Sequence, residues 1–313
     1  MKAKELRAAR AGFVQQQIEA GEAVQVFPST DRESLASIYA IGARDFQSTT
    51  ELLENVQNDP DVANCYVAPP RHILSRASGA LRGTPNKAAS PTHWGMEALG
   101  LSGTPDCSGV MVAVVDSGVD SDHADLQNAI ASVENFTTDP DRDLDGHGTH
   151  VCGIIAGRGV PPAGMRGVCN AQLAVFKGLG RQYDATAYYR ALGAALDRCR
   201  IVNLSLGGEG EDLTESLLIE DALRSGVVVV AAMGNDYESG NATHFPAAID
   251  GVIAVGAETR RRFGQNLAIL VLTSGWLRPG WMSGRPSPRI RPRSSEVLRT
   301  MAFVTELRWL RLL

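Results

Sequence analysis

The chain has 313 residues and a formal net charge of −5; 44% of its residues are hydrophobic and 21% are charged. This is the composition of an ordinary soluble globular protein, and the acidic balance argues against nucleic acid as the main partner. The length allows one large domain with a buried core and a smaller second domain.

Residues 1–90 are predicted to form a small N-terminal region that ends in a linker. A helix is expected around Thr50–Gln57, where Asn58-Asp59-Pro60 ends it, and an apolar run follows at Val62–Val67. Residues 75–93 are rich in Ser, Gly, Pro, Ala and Arg, a composition typical of a linker.

Sequence features also predict where the protein is found. The segment Met1–Val14 has no apolar run resembling a signal peptide, and no stretch of about 18 apolar residues could form a membrane helix. The five cysteines are odd in number and form no C-x-x-C pair, which disfavours both a disulfide framework and a metal site. We therefore expect free thiols, no cofactor, no membrane association and a cytoplasmic location.

From residue 110 onward, short β-branched runs alternate with helical stretches. The predicted strands are Val110–Val115, Leu173–Phe176, Ile201–Leu206, Val227–Ala232 and Val252–Val255. The predicted helices lie near His147–Gly157, Ala185–Arg200 and Leu213–Ser225. Strands that are apolar throughout and separated by helices indicate an α/β fold, a parallel sheet with helices on both faces. In such a fold the functional residues lie at the carboxyl ends of the strands.

Two element ends carry residues suited to acid–base chemistry. Asp116 follows the first predicted strand and precedes a glycine turn, where its carboxylate either faces a neighbouring imidazole or caps the turn. His147 opens a helix after Gly146, so its ring is expected to be exposed at the helix N-terminus. A metal site with His150 is disfavoured, because the two histidines are not arranged with a Glu as in H-E-x-x-H.

Two further strand ends could bind a peptide. Ser205, Leu206 and Gly207 end the third predicted strand, and glycine there can present backbone groups to an extended peptide that adds as a strand. Asn235 follows Gly234 at the end of the fourth strand, where its amide could donate to a developing oxyanion. Each of these two segments could equally be a turn.

In chain order these segments resemble the subtilisin family of serine proteases, the subtilases. The resemblance runs from about Trp94 to Gly256, over V-A-V-V-D-S-G-V-D with H-A-D-L, D-G-H-G-T-H-V-C-G-I-I-A-G, V-N-L-S-L-G-G, A-A-M-G-N-D and F-P-A-A-I-D-G-V-I-A-V-G-A. It implies a subtilisin-like fold and the hydrolysis of peptide bonds in protein or peptide substrates.

The resemblance also implies residue roles. Asp116 would be the orienting carboxylate and His147 the general base of an Asp/His/Ser triad. Asn235 would donate to the oxyanion, and Ser205-Leu206-Gly207 would bind the substrate backbone. Asp125 stands where some members have a calcium ligand, but no complete metal site is visible in the sequence.

Leu52–Leu74 resembles the last helix and strand of a subtilase propeptide. In that family the propeptide caps the substrate cleft, and its tail lies in the active site until it is cleaved. The alternative is a small α/β subdomain that is never removed. The predicted organisation is a propeptide-like region with its linker at 1–90, a catalytic domain at 91–260 and an anomalous Arg-, Trp- and Pro-rich tail at 261–313.

The family pattern breaks in that tail. Subtilases continue to V-D-V-x-A-P-G and then to G-T-S-M-A-x-P, whose serine is the nucleophile, and neither motif occurs in this sequence. The tail serines stand among Gly, Pro and Arg without a helix-opening context, and none is a candidate nucleophile: Ser274, Ser283, Ser287, Ser294 and Ser295. We therefore expect a subtilase domain whose C-terminal part is missing and a chain that is inactive as written.

A shift of the reading frame would account for the missing motifs. Synonymous codons for residues 280–286 and 304–312, read one base earlier, can encode V-D-V-W-A-P and D-G-T-S-M-A-T-P in the family's order. The Trp and Met residues in these segments have single codons, which limits the freedom of that choice. Our hypothesis is that the loss of one base near Ile269–Leu270 put the rest of the chain out of frame.

The tail also explains an uneven distribution of charge. Residues 260–313 contain 11 Arg, no Lys, no Asp and 2 Glu, a net charge of +9.

Two functions other than peptide-bond hydrolysis stay open. One is an inactive homologue that binds peptides through Ser205–Gly208 without cleaving them, and the other is a protein whose tail binds RNA or an anionic membrane. Under the frameshift hypothesis, the basic tail is an accident of translation.

Overall fold

The computed structural model describes residues 12–43, 45–74, 105–160, 164–234, 242–256 and 271–273. The chain forms two compact units, Met1–Ala68 and Pro69–Leu313. The predicted linker at 75–93 and most of the tail at 261–313 lie outside the described residues. A short strand at His72–Ile73 belongs to the second unit.

The described part of the first unit contains three helices and a two-stranded antiparallel sheet. Its elements are α1 (Phe13–Ala20), β1 (Ala23–Gln25), α2 (Glu33–Ala36), β2 (Tyr39–Ile41) and α3 (Phe46–Gln57). The predicted helix is found, but it begins a turn earlier because Asp45 caps it. The Asp45 carboxylate accepts from the Ser48 N–H at 2.8 Å, and the Ser48 hydroxyl accepts from the Asp45 N–H at 3.0 Å. The apolar run Val62–Val67 forms neither helix nor strand.

The second unit is built around a seven-stranded sheet. Its strands are β4 (Met111–Asp116), β5 (Ile130–Asn135), β6 (Gln172–Lys177), β7 (Ile201–Leu204), β9 (Val228–Ala232), β11 (Ile253–Val255) and β12 (Val271–Thr273). Their spatial order is β12-β11-β9-β7-β4-β6-β5, and all neighbours are parallel except β12, which is antiparallel to β11. A smaller antiparallel sheet joins β10 (His244–Phe245), β8 (Leu206–Glu209) and β3 (His72–Ile73), with β8 in the middle.

Three helices cover the main sheet: α4 (His147–Ala156), α5 (Ala185–Arg198) and α6 (Leu213–Arg224). Successive side chains of a strand point to opposite faces. On one face, Val112 and Val114 of β4 pack in a buried cluster with Ile155 of α4. On the other, Val115 and Ala191 of α5 both lie against Gly178, and α6 packs on α5 and β9. The predicted α/β fold, a parallel sheet with helices on both faces, is confirmed.

One predicted strand is divided in two. A single strand was expected over Ile201–Leu206, but the chain leaves the main sheet at Ser205, so that β7 ends one residue before it and β8 begins one residue after it. Ser205 is only 1% exposed, and its hydroxyl oxygen accepts a hydrogen bond from Asn203 Nδ2 at 3.0 Å. A local side-chain bond thus fixes a corner at the carboxyl end of β7.

Two strands of the main sheet have no counterpart in the sequence prediction. β5 reads I-A-S-V-E-N and lies at one edge of the sheet, where polar residues are tolerated, so its apolar signal is weak. β12 comes from the tail and reads V-L-T, an apolar and β-branched segment that pairs with the otherwise open edge of β11.

Replacement of Leu173 in β6 tests this description of the core. Leu173 is 0% exposed and belongs to the cluster that α4 covers, so Leu173→Ala should lower the free energy of unfolding by about 2–5 kcal/mol through lost burial and a residual cavity. Leu217→Ala in α6 is the control, because Leu217 is 48% exposed and should change stability by about 0.5 kcal/mol or less. Urea denaturation measures both; equal losses would contradict the proposed core.

Candidate active site

Asp116 and His147 are in direct contact at the carboxyl edge of the main sheet. Asp116 is the last residue of β4 and 0% exposed, while His147 is the first residue of α4 and 6% exposed. His147 Nδ1 lies 2.8 Å from Asp116 Oδ1. With the carboxylate as acceptor, Nδ1 carries the proton and Nε2 is left with a lone pair.

Glycines allow the two chain segments to approach this closely. Gly146 precedes α4 in the left-handed region, with a φ of 89°. A Cβ on Gly148 would lie 2.1 Å from the carbonyl oxygen of Gly118 and 3.2 Å from Asp116 Oδ1. The Gly148 N–H instead donates to Ser117 Oγ at 3.0 Å. The end of β4 and the start of α4 therefore pack backbone against backbone, and this packing brings the imidazole to the carboxylate.

Asp143 is a site residue that sequence reasoning missed. Its carboxylate accepts from the N–H of Gly146 at 2.9 Å, from the N–H and hydroxyl of Thr149 at 2.9 and 2.7 Å, and from the hydroxyl of Ser117 at 2.9 Å. Burial would raise the pKa of Asp143, but these hydrogen bonds hold it below its usual value. The carboxylate thereby satisfies free N–H groups at the start of α4. An Asp three residues before the glycine that opens a helix was the available signal.

The surroundings favour a charged imidazole at His147. Burial alone would lower the pKa of His147, but the charge and hydrogen bond of Asp116, followed by the charges of Asp145 and Asp143, raise it. His150, one turn further along α4, behaves differently, because burial and the charge on His147 both lower its pKa. The two histidines therefore differ in the ease with which they take up a proton.

Three neighbouring strands end at the same edge of the sheet. β4 ends in Asp116, its neighbour β7 is followed by Ser205, and the next strand, β9, is followed by Met233 and Gly234. Asn235, the predicted oxyanion donor, lies outside the described residues.

The predicted peptide-binding segment, Ser205-Leu206-Gly207, carries a strand of the chain itself. β3 pairs antiparallel with β8, so that His72 is opposite Gly207 and Ile73 is opposite Leu206. The N–H of Leu74 then donates to the carbonyl oxygen of Ser205 at 3.4 Å. This is the geometry in which an extended peptide adds to a sheet edge.

Asp125, which the resemblance matched to a calcium ligand of some family members, instead holds a loop. Its Oδ1 accepts from the N–H of Val160 at 2.7 Å and its Oδ2 from the N–H of Met165 at 2.8 Å. Within the described ranges, no three His, Cys, Asp or Glu side chains are grouped so as to hold a metal ion. No helix in the same part of the chain is long and apolar enough to cross a membrane.

Comparison with known proteins places these features in context. A model of the Subtilase family matches residues 107–298. The major intracellular serine protease of Bacillus subtilis (strain 168) is 34% identical over 182 residues, which are 54% of this chain and 54% of that protein. The intracellular serine protease of Paenibacillus polymyxa is 37% identical over 166 residues, 48% of this chain and 49% of that protein. This chain thus spans about half the length of these relatives.

A solved structure is also similar. The psychrophilic subtilisin-like protease Apa1 from the Antarctic psychrotroph Pseudoalteromonas sp. AS-11 aligns with a TM-score of 0.44 and 26% identity, over 51% of this chain and 39% of that chain. The family match reaches residue 298, which is past Ala257, the last residue of the sequence motifs quoted above.

Asp116→Asn should lower the pKa of His147, since the imidazole stays buried while the negative charge beside it is lost. NMR titration of the imidazole resonances measures the pKa. Asp120→Asn is the control, because Asp120 is exposed and its carboxylate instead accepts from the N–H of Asp122. A His147 pKa that does not move in Asp116→Asn would show that the contact is absent in solution.

The same contact makes stability depend on pH. The pKa of His147 is raised above its ordinary value of 6.5, so its pairing with Asp116 adds fully to the free energy of unfolding below pH 6.5. This contribution is lost as the pH rises through the folded-state pKa. The advantage of the wild type over Asp116→Asn in urea denaturation should therefore be largest below pH 6.5 and should shrink as the pH rises through the folded-state pKa. An advantage that grows with pH would have the wrong sign.

Proposed function

Because the chain belongs to the subtilase family, we propose that its second unit is the body of a serine endopeptidase in which Asp116 and His147 have two of the three triad roles. The observation that carries the proposal is the 2.8 Å contact between His147 Nδ1 and Asp116 Oδ1 at the carboxyl edge of the sheet. A base oriented by a third group is the arrangement that activates a hydroxyl nucleophile.

The contact between His147 and Asp116 supports one direction of proton transfer. His147 donates its Nδ1 proton to Asp116 in a hydrogen bond, so Nε2 accepts the proton of a serine hydroxyl as the oxygen attacks the peptide carbonyl. The imidazolium that forms is stabilised by Asp116 and, at longer range, by Asp145 and Asp143. His147 then gives the proton to the leaving amine, which completes the acylation half of the reaction.

Substrate binding is assigned to the segment that follows β7. Ser205, Leu206 and Gly207 would hold an extended peptide by backbone hydrogen bonds, and the antiparallel pairing of β3 with β8 supports this. Asn235 is proposed as the oxyanion donor from the family resemblance; in the sequence it comes three residues after Ala232, the last residue of β9.

We also propose that this chain lacks the nucleophile and is inactive as written. Two described serines near the Asp116–His147 pair, Ser117 in the sequence and Ser205 at the sheet edge, are hydrogen-bonded to side chains around them, and the Ser117 hydroxyl also lies 3.2 Å from Asp116 Oδ1. The Ser117 hydroxyl donates to Asp143 at 2.9 Å, and the Ser205 hydroxyl accepts from the Asn203 amide at 3.0 Å. A frameshift near Ile269–Leu270 would supply the two missing motifs in their family order.

Peptide binding without cleavage is the second candidate function. The pairing of β3 with β8 favours this function, because it shows that the edge of β8 can hold an extended segment without a nucleophile. The presence of both Asp116 and His147 argues against this role, because a protein that only binds peptides has no need to retain two members of a catalytic triad. A third function, RNA or membrane binding by residues 260–313, concerns a tail of which the structure describes only Val271–Thr273.

A cytoplasmic location is proposed from the cysteines. All five are free thiols, and four of them are buried. Two relatives carry the word intracellular in their names. Free thiols persist in a reducing compartment, and cell fractionation tests the assignment.

The chain as written should hydrolyse a peptide substrate only at the background rate. Loss of the triad serine lowers turnover about a millionfold, a figure measured on a subtilisin. A fluorophosphonate probe should likewise label no serine. Labelling of any tail serine would mean that the chain has a nucleophile after all.

Restoring one base after codon 269 should regenerate D-G-T-S-M-A-T-P and, with it, peptidase activity. Asp116→Asn or His147→Ala in the restored chain should abolish that activity, whereas the exposed control Asp120→Asn should retain it. Sequencing of the gene around codons 265–275 is the direct check. If no reading frame of the gene encodes the motif, the frameshift hypothesis is refuted.

A further inference from the structure

Arg71 precedes β3 and is buried within the second unit, with an exposure of 2%. Its Nε and Nη2 donate to Glu215 Oε1 at 2.9 Å and Oε2 at 2.7 Å, and Nη2 also donates to the carbonyl oxygen of Gly210 at 3.2 Å. Two parallel hydrogen bonds between a guanidinium and a carboxylate are a strong and directional contact. The strand on β8 is therefore anchored by a side chain as well as by its backbone.

The buried carboxylate of Glu215 is stabilised by a neighbouring positive charge. It lies in the first turn of α6 with an exposure of 0%, and the hydroxyl of Tyr188 donates to its Oε1 at 2.6 Å. Burial raises the pKa of Glu215, and the hydrogen bond and charge of Arg71 act against that rise. Among the described residues, Arg71 is the cation that pairs with this carboxylate. A buried carboxylate that loses its counter-charge strongly destabilises a protein.

The edge beside Glu215 is shaped for a closely packed strand. A Cβ on Gly208 would lie 2.2 Å from the carbonyl oxygen of Pro70, and a Cβ on Gly207 would lie 3.4 Å from a methyl carbon of Leu74. Glycine at position 208 therefore lets the main chain of a peptide lie close against β8, whereas a Cβ on Gly207 would make only an ordinary contact with Leu74. Arg71, whose guanidinium contacts Glu215, stands three residues before Leu74 in the sequence. The N–H of Leu74 donates to the carbonyl oxygen of Ser205.

We propose that Glu215, Tyr188 and the carbonyl of Gly210 form a subsite that selects arginine in peptides bound on β8. The selected residue stands three positions before the one that donates its N–H to Ser205. This inference rests on the peptide-binding role proposed for β8. Arg71 fills the subsite in the chain's own strand, and a substrate or partner peptide brings an arginine to the same place.

The hydrogen-bond pattern favours arginine over lysine. The guanidinium presents its donors in a rigid plane that matches both carboxylate oxygens of Glu215, and a further N–H reaches Gly210. The single ammonium of lysine cannot reproduce this planar set of contacts. A neutral side chain would leave the buried carboxylate without its counter-charge.

The test uses the full chain with Arg71→Ala, which empties the subsite. Hydrogen exchange of residues 72–74 first measures whether the strand has loosened, and we expect exchange at least about tenfold faster than in the wild type. Two fluorescent peptides are then titrated, P-R-H-I-L and P-A-H-I-L. The arginine peptide should bind at least about tenfold more tightly. Adding Glu215→Gln to the same chain should remove that difference.

Three outcomes would contradict the proposal, and each contradicts a different part of it. Unchanged protection of residues 72–74 in Arg71→Ala would overturn the proposal, since the arginine would not anchor the strand. Equal affinity for the two peptides would overturn the arginine subsite and leave the peptide-binding edge intact. Binding of neither peptide to a loosened chain would refute the edge, and the proposed substrate binding with it.

The test includes one control variant and one replacement for Arg71→Ala. Arg198→Ala removes an exposed arginine paired with Glu134, and it should change neither exchange nor peptide affinity. If Arg71→Ala does not fold, the two peptides are compared on Arg71→Lys, which keeps a positive charge but not the planar contacts. There the arginine peptide should still compete better with the internal strand than the alanine peptide does; equal competition would overturn the proposal.

Discussion

The backbone contact between the end of β4 and the start of α4 is the constraint on which the rest of the second unit depends. Gly148 sits so close to Gly118 that a single added carbon would force the segments apart. Such a displacement would lift α4 from the face that holds Val112 and Val114, and it would lengthen the bond between His147 and Asp116. Core packing and acid–base geometry are therefore one property of this fold.

Much of the second unit could be predicted because its signals are local. The central strands are continuous apolar runs, and Asp116 and His147 stand at the ends of elements that those runs define. The corner at Ser205 could not be predicted, because an apolar run does not reveal that a strand changes sheets. The pair of Arg71 and Glu215 joins positions 144 residues apart, and a contact between such distant positions leaves no local pattern in a single sequence.

Two buried ion pairs serve the second unit in different ways. In the pair of His147 and Asp116, the cation is an imidazole, which gains and loses its charge near neutral pH. In the pair of Arg71 and Glu215, the cation is a guanidinium, which keeps its charge at all physiological pH values. The first pair is suited to moving a proton and the second to fixing a position. Both rely on exclusion of water, which strengthens the attraction between the charges.

The central position of β8 in the small sheet has a consequence for solubility. β10 pairs with Gly208 and Glu209 on one side of β8, and β3 pairs with Leu206 and Gly207 on the other. A chain that loses residues 69–74 presents one row of these groups unpaired, on a glycine-rich strand with little side-chain bulk to keep other strands away. Two such molecules can pair edge to edge, so the strand that occupies the proposed binding site also protects the protein from self-association.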